Sequence, residues 1–283
     1  MTLRKRQQLT SNIIFYVLVS SFGFLMLYPI IWMIANSLQP QIQIFNYPLQ
    51  LIPREWMWSN YADGWAGFGH NGFDVFFRNS LFITSITVVG NVLSASIVAY
   101  GFARLNFKFK KVLFAALMAT VMLPGQMTLI PTYILFNNMG WVGTFLPLLV
   151  PPFLGGGAFF IFLLIQFIRG IPRELDEAAI VDGCSVFGVY FRIILPLMKP
   201  ALVTVAIFSF MWTWDDFLGP LIYLTSPALH TVTLGLRNFM NNEGATNWGP
   251  LLAMSTLSLV PQLILFAAFQ KNLIEGIATT GLK

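Results

Sequence analysis

The chain of 283 residues is 57% hydrophobic and 10% charged, with a formal charge of +5 and a mean hydropathy of +0.72. A soluble domain carries about 25% charged residues, so a single water-facing globule is excluded, and in so apolar a chain the basic excess sets membrane orientation rather than binding nucleic acid. A lone cysteine, Cys184, excludes an intrachain disulfide and a cysteine metal cluster; His70 and His230 show no ligand spacing, and no metal set is expected.

Charge is missing from Asn79 to Ala103, from Val112 to Ile168 and from Ala245 to Gln270. A bilayer core about 30 Å thick takes about 20 helical residues, so these runs are membrane spans. Residues 1–12, with the basic stretch RKRQQ, read as a cytoplasmic tail. The first span covers about 13–35. Its basic start resembles a signal peptide, but the apolar run is too long and no small-x-small cleavage site follows closely, so it reads as a retained helix. About forty residues outside the membrane come next. Their Trp56, Trp58, Trp65 and Tyr61 suit interfacial anchoring, with ligand stacking as the weaker reading.

The second span is expected at 79–102, the third at 112–136 and the fourth at 144–168, with Asn137, Asn138, Gly140 and Gly143 turning the chain between the last two. Pro124, Pro131, Pro147, Pro151 and Pro152 fall in the third and fourth spans, where proline frees a carbonyl and bends the helix. A polar loop over 169–200 precedes a fifth span at 201–223 and a sixth at 250–269. A cytoplasmic tail, 271–283, ends the chain. With the N-terminus inside, only Arg54, Arg78 and Arg237 of the 16 basic residues fall outside or at the outer edge. That asymmetry supports six spans with both termini cytoplasmic. The fold class is an all-α polytopic membrane protein, its transmembrane domain running over 13–270.

Four polar side chains stand out in the spans. Asn91, Gln126, Asp215 and Asp216 are costly against lipid, so each faces water, a bundle interior or a partner. Both a pathway-lining role and interhelix bonding or capping fit them, and the aspartate pair can equally mark the end of a shorter fifth span, since Pro220 follows closely.

The loop 169–200 contains IPRELDEAAIVDG. Proline starts helices well, and Glu174, Asp176 and Glu177 suit the first turns of one. Gly183 lets the chain turn, and a second amphipathic piece runs over about 186–194. No nucleophile with a base and no metal set lies here, so no catalytic residue is assigned. The physical reading is a short docking helix whose Ala178–Ala179 surface enters a cleft on a soluble partner.

EAAIVDGCSVFGVYFRIILP resembles the EAA loop of binding-protein-dependent ABC transporter permeases. The motif falls without a gap on Glu177, Ala178, Ala179, Gly183, Ile193, Leu195 and Pro196. AYGFARLNFKFKK, MLPGQMTLIPTYILFNNMGWVGT, WTWDDFLGPLIYL and FQKNLIEGIATTGLK resemble the carbohydrate-uptake branch of that family, of the MalG-like inner-membrane kind. Asp215 departs from the asparagine frequent there, and the tail ends in TTGLK.

The resemblance implies six transmembrane helices with a cytoplasmic EAA coupling loop between the fourth and fifth. It implies the pore-forming permease subunit of an ATP-driven importer in a bacterial or archaeal cytoplasmic membrane, for a sugar or oligosaccharide. A polyol or glycerol-phosphate-type solute is the alternative. The implied partners are a second homologous permease, two copies of a cytoplasmic ABC ATPase, an extracytoplasmic solute-binding protein and membrane lipid. In that arrangement ATP and Mg sit on the ATPases and this chain holds no cofactor; it has no G-x-x-x-x-G-K-[ST] run of its own.

Overall fold

The computed structural model describes residues 3–46, 50–67, 71–240 and 246–278, with side chains placed over 12–45, 50–67, 71–240 and 246–270. His70, residues 1–2 of the N-terminal tail and 279–283 of the C-terminal tail lie outside the described residues.

The regular elements are helices. In a bilayer core without water, a helix satisfies every backbone N–H and C=O within one segment. In chain order, α1 (Leu3–Asn36) and α2 (Phe73–Arg104) are long helices. α3 (Lys110–Met122) and α4 (Gly125–Asn138) meet at 103°. The stretch Leu146–Arg169 ends in α5 (Ala158–Arg169). α6 (Glu174–Val181) is short and polar. α7 (Val186–Leu197), with one π-helical turn at Tyr190–Ile194, meets α8 (Lys199–Trp214) at 74°. α9 (Trp248–Ala278) follows. Among the described residues, 4 stretches cross a bilayer by length and composition, or up to 6 if each bent pair is one span.

Two expected spans change shape. The third, 112–136, is a bent pair rather than a straight helix. Leu123 takes an extended ψ of 124° because the ring of Pro124 disfavours helical backbone in the residue before it. The fifth, 201–223, ends early: Asp215 is the C-cap of α8, and a separate turn, Leu218–Tyr223, follows. The reading of the aspartate pair as the end of a shorter helix matches this break.

The chain forms two compact units. The first joins the described residues up to 67 with 238–240 and 246–259. Polar groups close the end of α1 there. Buried Asn60 donates to the carbonyls of Ser37 and Gln39 at 2.9 and 3.1 Å, and the hydroxyls of Ser37 and Tyr61 lie 2.9 Å apart. Trp56 and Trp58 stack at 6.1 Å and stay exposed, an arrangement suited to a membrane–water interface.

The second unit, built among the described residues from 71–237 and 260–278, is organised around α2. At 32 residues this helix is about 48 Å long, longer than the bilayer core of about 30 Å. Ala95, Ala99 and Ala103 recur every fourth residue and form a cluster with Leu164, Ile165 and Ile168 of α5 and Ala201 and Val205 of α8. Small side chains let helices approach closely, and in lipid such packing replaces water release as the driving force. Gly156 extends the close contact: a Cβ there would lie 3.0 Å from Ser94 Oγ and 3.1 Å from Ala95 Cβ.

Candidate functional site

The loop 169–200 folds as two short helices joined by a tight stop. Glu174, Asp176 and Glu177 occupy the first turn of α6, where the helix dipole favours acids. Its end is a Schellman motif: Cys184 N–H donates to Ala179 O at 2.9 Å and Gly183 N–H to Ile180 O at 3.0 Å. Gly183 sits at φ +85°, a left-handed conformation that costs a residue with a Cβ. The Ser185 hydroxyl then caps α7, accepting from Gly188 N–H at 3.1 Å.

The motif residues divide between two faces. Glu177 and Ala178 are exposed, whereas Ala179 is 6% exposed and belongs to the core cluster with Tyr190, Val189 and Ile194. The expected Ala178–Ala179 surface is thereby divided between two faces. Neighbours on a helix point about 100° apart, so Ala179 packs inward while Ala178 faces out. The outward surface is completed by Ile180, Val181 (86% exposed) and Phe187, a set the sequence reading did not single out. Ile193 and Leu195 are half-buried and pack on the cluster. Pro196 lies inside the turn Leu195–Leu197, and the 74° bend follows it.

A row of polar side chains on α2 holds this loop from behind. The hydroxyls of Ser96 and Tyr190 lie 2.7 Å apart, Tyr100 donates to Val186 O at 3.0 Å, and Arg104 donates through Nη2 to Ile171 O at 2.8 Å. Arg104 Nε also lies 2.7 Å from Asp176 Oδ2. This is a charge contact whose angle falls short of a hydrogen bond. Positions 96, 100 and 104 share one helix face. Burial pushes the Asp176 carboxyl above the usual carboxylate range, and the attraction of Arg104 and Arg173 only partly offsets it. Sequence reasoning took Arg104 for an orientation charge and Asp176 for helix-start chemistry. The available signal was the four-residue spacing of Ser96, Tyr100 and Arg104 in an apolar run.

The four polar candidates in the spans do not form one site. Asn91 is buried and donates to Ser209 Oγ at 2.9 Å, joining α2 to α8. Asp216 accepts from Gly219 N–H at 3.1 Å, starting the turn Leu218–Tyr223. Both line one cavity of about 330 Å³. Asp215 is exposed and accepts from Gln262 Nε2 at 2.8 Å. Gln126 is exposed in the first turn of α4, apart from the other three. At the other end of α2, Asn79 donates to the carbonyls of Ala228 and His230, and Ser80 Oγ accepts from Val232 N–H.

Long apolar helices, with a polar two-helix loop pinned to α2 in the second unit, define a helical membrane protein. Residues 91–278 match the family of binding-protein-dependent transport system inner membrane components, and the chain belongs to that family. It is 34% identical to a probable ABC transporter permease, YurM of Bacillus subtilis, over 90% of this chain and 83% of that protein. It is 31% identical to the arabinooligosaccharides transport system permease AraQ of Bacillus subtilis, over 95% of this chain and 94% of that one. Its fold matches a chain of a bacterial ABC transporter involved in the import of the acidic polysaccharide alginate, with a TM-score of 0.82 and 20% identity, over 96% of this chain and 98% of the other. The chain is therefore an inner-membrane permease component of an ABC importer, a transport subunit rather than an enzyme.

Proposed function

We propose that this chain is one of two homologous pore-forming subunits of a carbohydrate importer, and that α6 is its joint with two cytoplasmic ATPases. In this reading both termini and the loop 169–200 are cytoplasmic, which the distribution of basic residues supports. ATP and Mg are held by the ATPases, and an extracytoplasmic binding protein delivers the solute. Glu177, Ala178, Ile180 and Val181 enter the ATPase cleft; Gly183 and Ser185 set the angle of α7; Ile193, Leu195 and Pro196 lead into α8. Exposed apolar side chains of the spans, those of α1 among them, meet lipid or the second permease. Movement of the ATPases shifts α6, and α2 carries the shift through the membrane as a rigid rod. Alternating access by rigid-body motion follows.

The observation that carries the reading is the two-faced α6, open on one side and pinned to α2 on the other by Arg104 and Asp176. The resemblance to an arabinooligosaccharide permease over 95% of the chain supports a saccharide as solute. Charge reversal tests the joint. Glu177→Lys is expected to weaken assembly with the ATPases, or to leave assembly intact and uncouple ATP hydrolysis from uptake in proteoliposomes. Unchanged assembly together with unchanged uptake contradicts it.

A further inference from the structure

One feature of the cavity in the second unit is left unexplained by the coupling loop. Thr84 is 1% exposed, lines the cavity, and its hydroxyl has no hydrogen-bond partner. A buried hydroxyl in that state is disfavoured unless something else occupies the space and bonds to it. The space is about 330 Å³, at the small end of the range of about 300–1,000 Å³ typical of small-molecule sites.

The wall around Thr84 is rich in groups that bond to hydroxyls. Thr87 and Ser209 add hydroxyls, and Asn91 spends its amide N–H₂ on Ser209, leaving its carbonyl oxygen for another donor. Asp216 contributes a carboxylate, one oxygen of which already accepts from Gly219 N–H. Trp212 supplies an apolar ring. Hydroxyl donors, acceptors and an aromatic surface together suit a sugar ring, which presents hydroxyls at its edge and C–H groups on its face. Among the described residues, no lysine, arginine or histidine lines the cavity. Its one formal charge is negative, and in so apolar a setting like charges repel far more strongly than in water.

We infer that this cavity takes one uncharged, hydroxyl-rich ring of the solute and rejects anionic solutes such as uronates and phosphate esters. The inference rests on the importer reading above and sharpens it by choosing a neutral saccharide over the glycerol-phosphate-type alternative. Thr84 and Asn91 are the positions that orient the ring, and Asp216 accepts from its hydroxyls while excluding anions.

The test uses the whole importer with its ATPases and binding protein in proteoliposomes. Thr84→Cys is introduced into a chain carrying Cys184→Ser, and reaction with a small polar thiol reagent is timed in the presence of neutral oligosaccharides, glucuronate or glycerol 3-phosphate. A neutral saccharide that is taken up, present at about ten times its half-saturating concentration, slows labelling about tenfold. Glucuronate and glycerol 3-phosphate leave the rate unchanged, and adding Asp216→Asn lets glucuronate slow it. Should Thr84→Cys not assemble, Ser209→Cys reports on the same cavity. Uptake of a saccharide with no change in labelling overturns the cavity assignment and leaves the importer reading standing. Protection by glucuronate equal to that by a neutral sugar, before Asp216 is changed, overturns the charge selection. A preparation whose ATPase responds to the binding protein, yet which takes up no saccharide, overturns the carbohydrate reading itself.

Discussion

Arg104 at the end of α2 and Asp176 in the first turn of α6 stand 2.7 Å apart, with side chains only 5% and 13% exposed. The pair fastens the short polar helix to the longest helix of the second unit. Breaking a buried pair by removing one partner costs about 3–5 kcal/mol. Arg104→Ala is expected near the low end of that range, because Asp176 keeps some water contact. Asp176→Asn behaves differently. Its carboxyl is raised by burial, so the stabilising contribution is full below the unfolded value and lost as pH rises through the folded one. The neutral isostere sheds the carboxylate's burial penalty, so Asp176→Asn is expected to cost less than Arg104→Ala. Thermal unfolding of the purified complex at neutral pH separates the two substitutions.

Ser96 and Tyr100 form the rest of the clamp. Tyr100→Phe removes one hydrogen bond, worth about 1 kcal/mol, and Ser96→Ala removes the bond to Tyr190 together with the local one to Leu93 O, neither opening a large void. If these contacts carry motion rather than only hold the fold, solute moved per ATP hydrolysed falls by about 3- to 10-fold, the rate equivalent of that energy. Assembly with the ATPases stays intact. Uptake and ATP hydrolysis measured on the same proteoliposomes give the ratio.

Gly183 is expected to resist replacement for a purely conformational reason. A Cβ there would meet nothing within 4 Å, yet φ is +85°. Gly183→Ala is expected to cost about 1–2 kcal/mol, and Gly183→Asn less, since asparagine tolerates left-handed backbone. A shift in melting temperature in that order is the check.

His230 provides a pH test. Its ring lies half-buried beside Phe76 with Nδ1 unpartnered, and burial lowers its pKa from the ordinary 6.5. A depressed histidine contributes stability that is present above the unfolded pKa and lost as pH falls through it toward the folded one. The melting temperature of the wild type is therefore expected to drop between about pH 7.5 and pH 5.5, and His230→Gln is expected to flatten that drop. Asp176 has the opposite sign, so the wild type and His230→Gln are compared with Asp176 present in both.

Much of the fold is legible in the sequence because span length and charge asymmetry are set by the bilayer itself. The turn around Gly140 and the helix starts and stops of the loop follow from residue chemistry alone. The rest depends on partners distant in sequence. Proline at 124 announces a bend, but not that it reaches 103°. Asp215 and Asp216 are adjacent and look equivalent, yet one meets Gln262 and the other Gly219 and a cavity, because neighbours at a helix end diverge. Ala178 and Ala179 are chemically identical and end on opposite sides of α6. Arg104 reads as one more orientation charge near a span end until the distant loop supplies the Asp176 carboxylate at the distance of an ion pair.

The division between Ala178 and Ala179 also yields the most direct test of the joint. In a Cys184→Ser chain assembled with its ATPases, cysteine is placed at 178 or at 179 and short cysteine-to-cysteine cross-linking to the ATPase is scored. The expected result is efficient cross-linking from Ala178→Cys, changing with nucleotide, and none from Ala179→Cys, whose side chain is in the core. Equal cross-linking from both positions, or none from Ala178→Cys in an assembled and active complex, contradicts the docking of α6 by its exposed face.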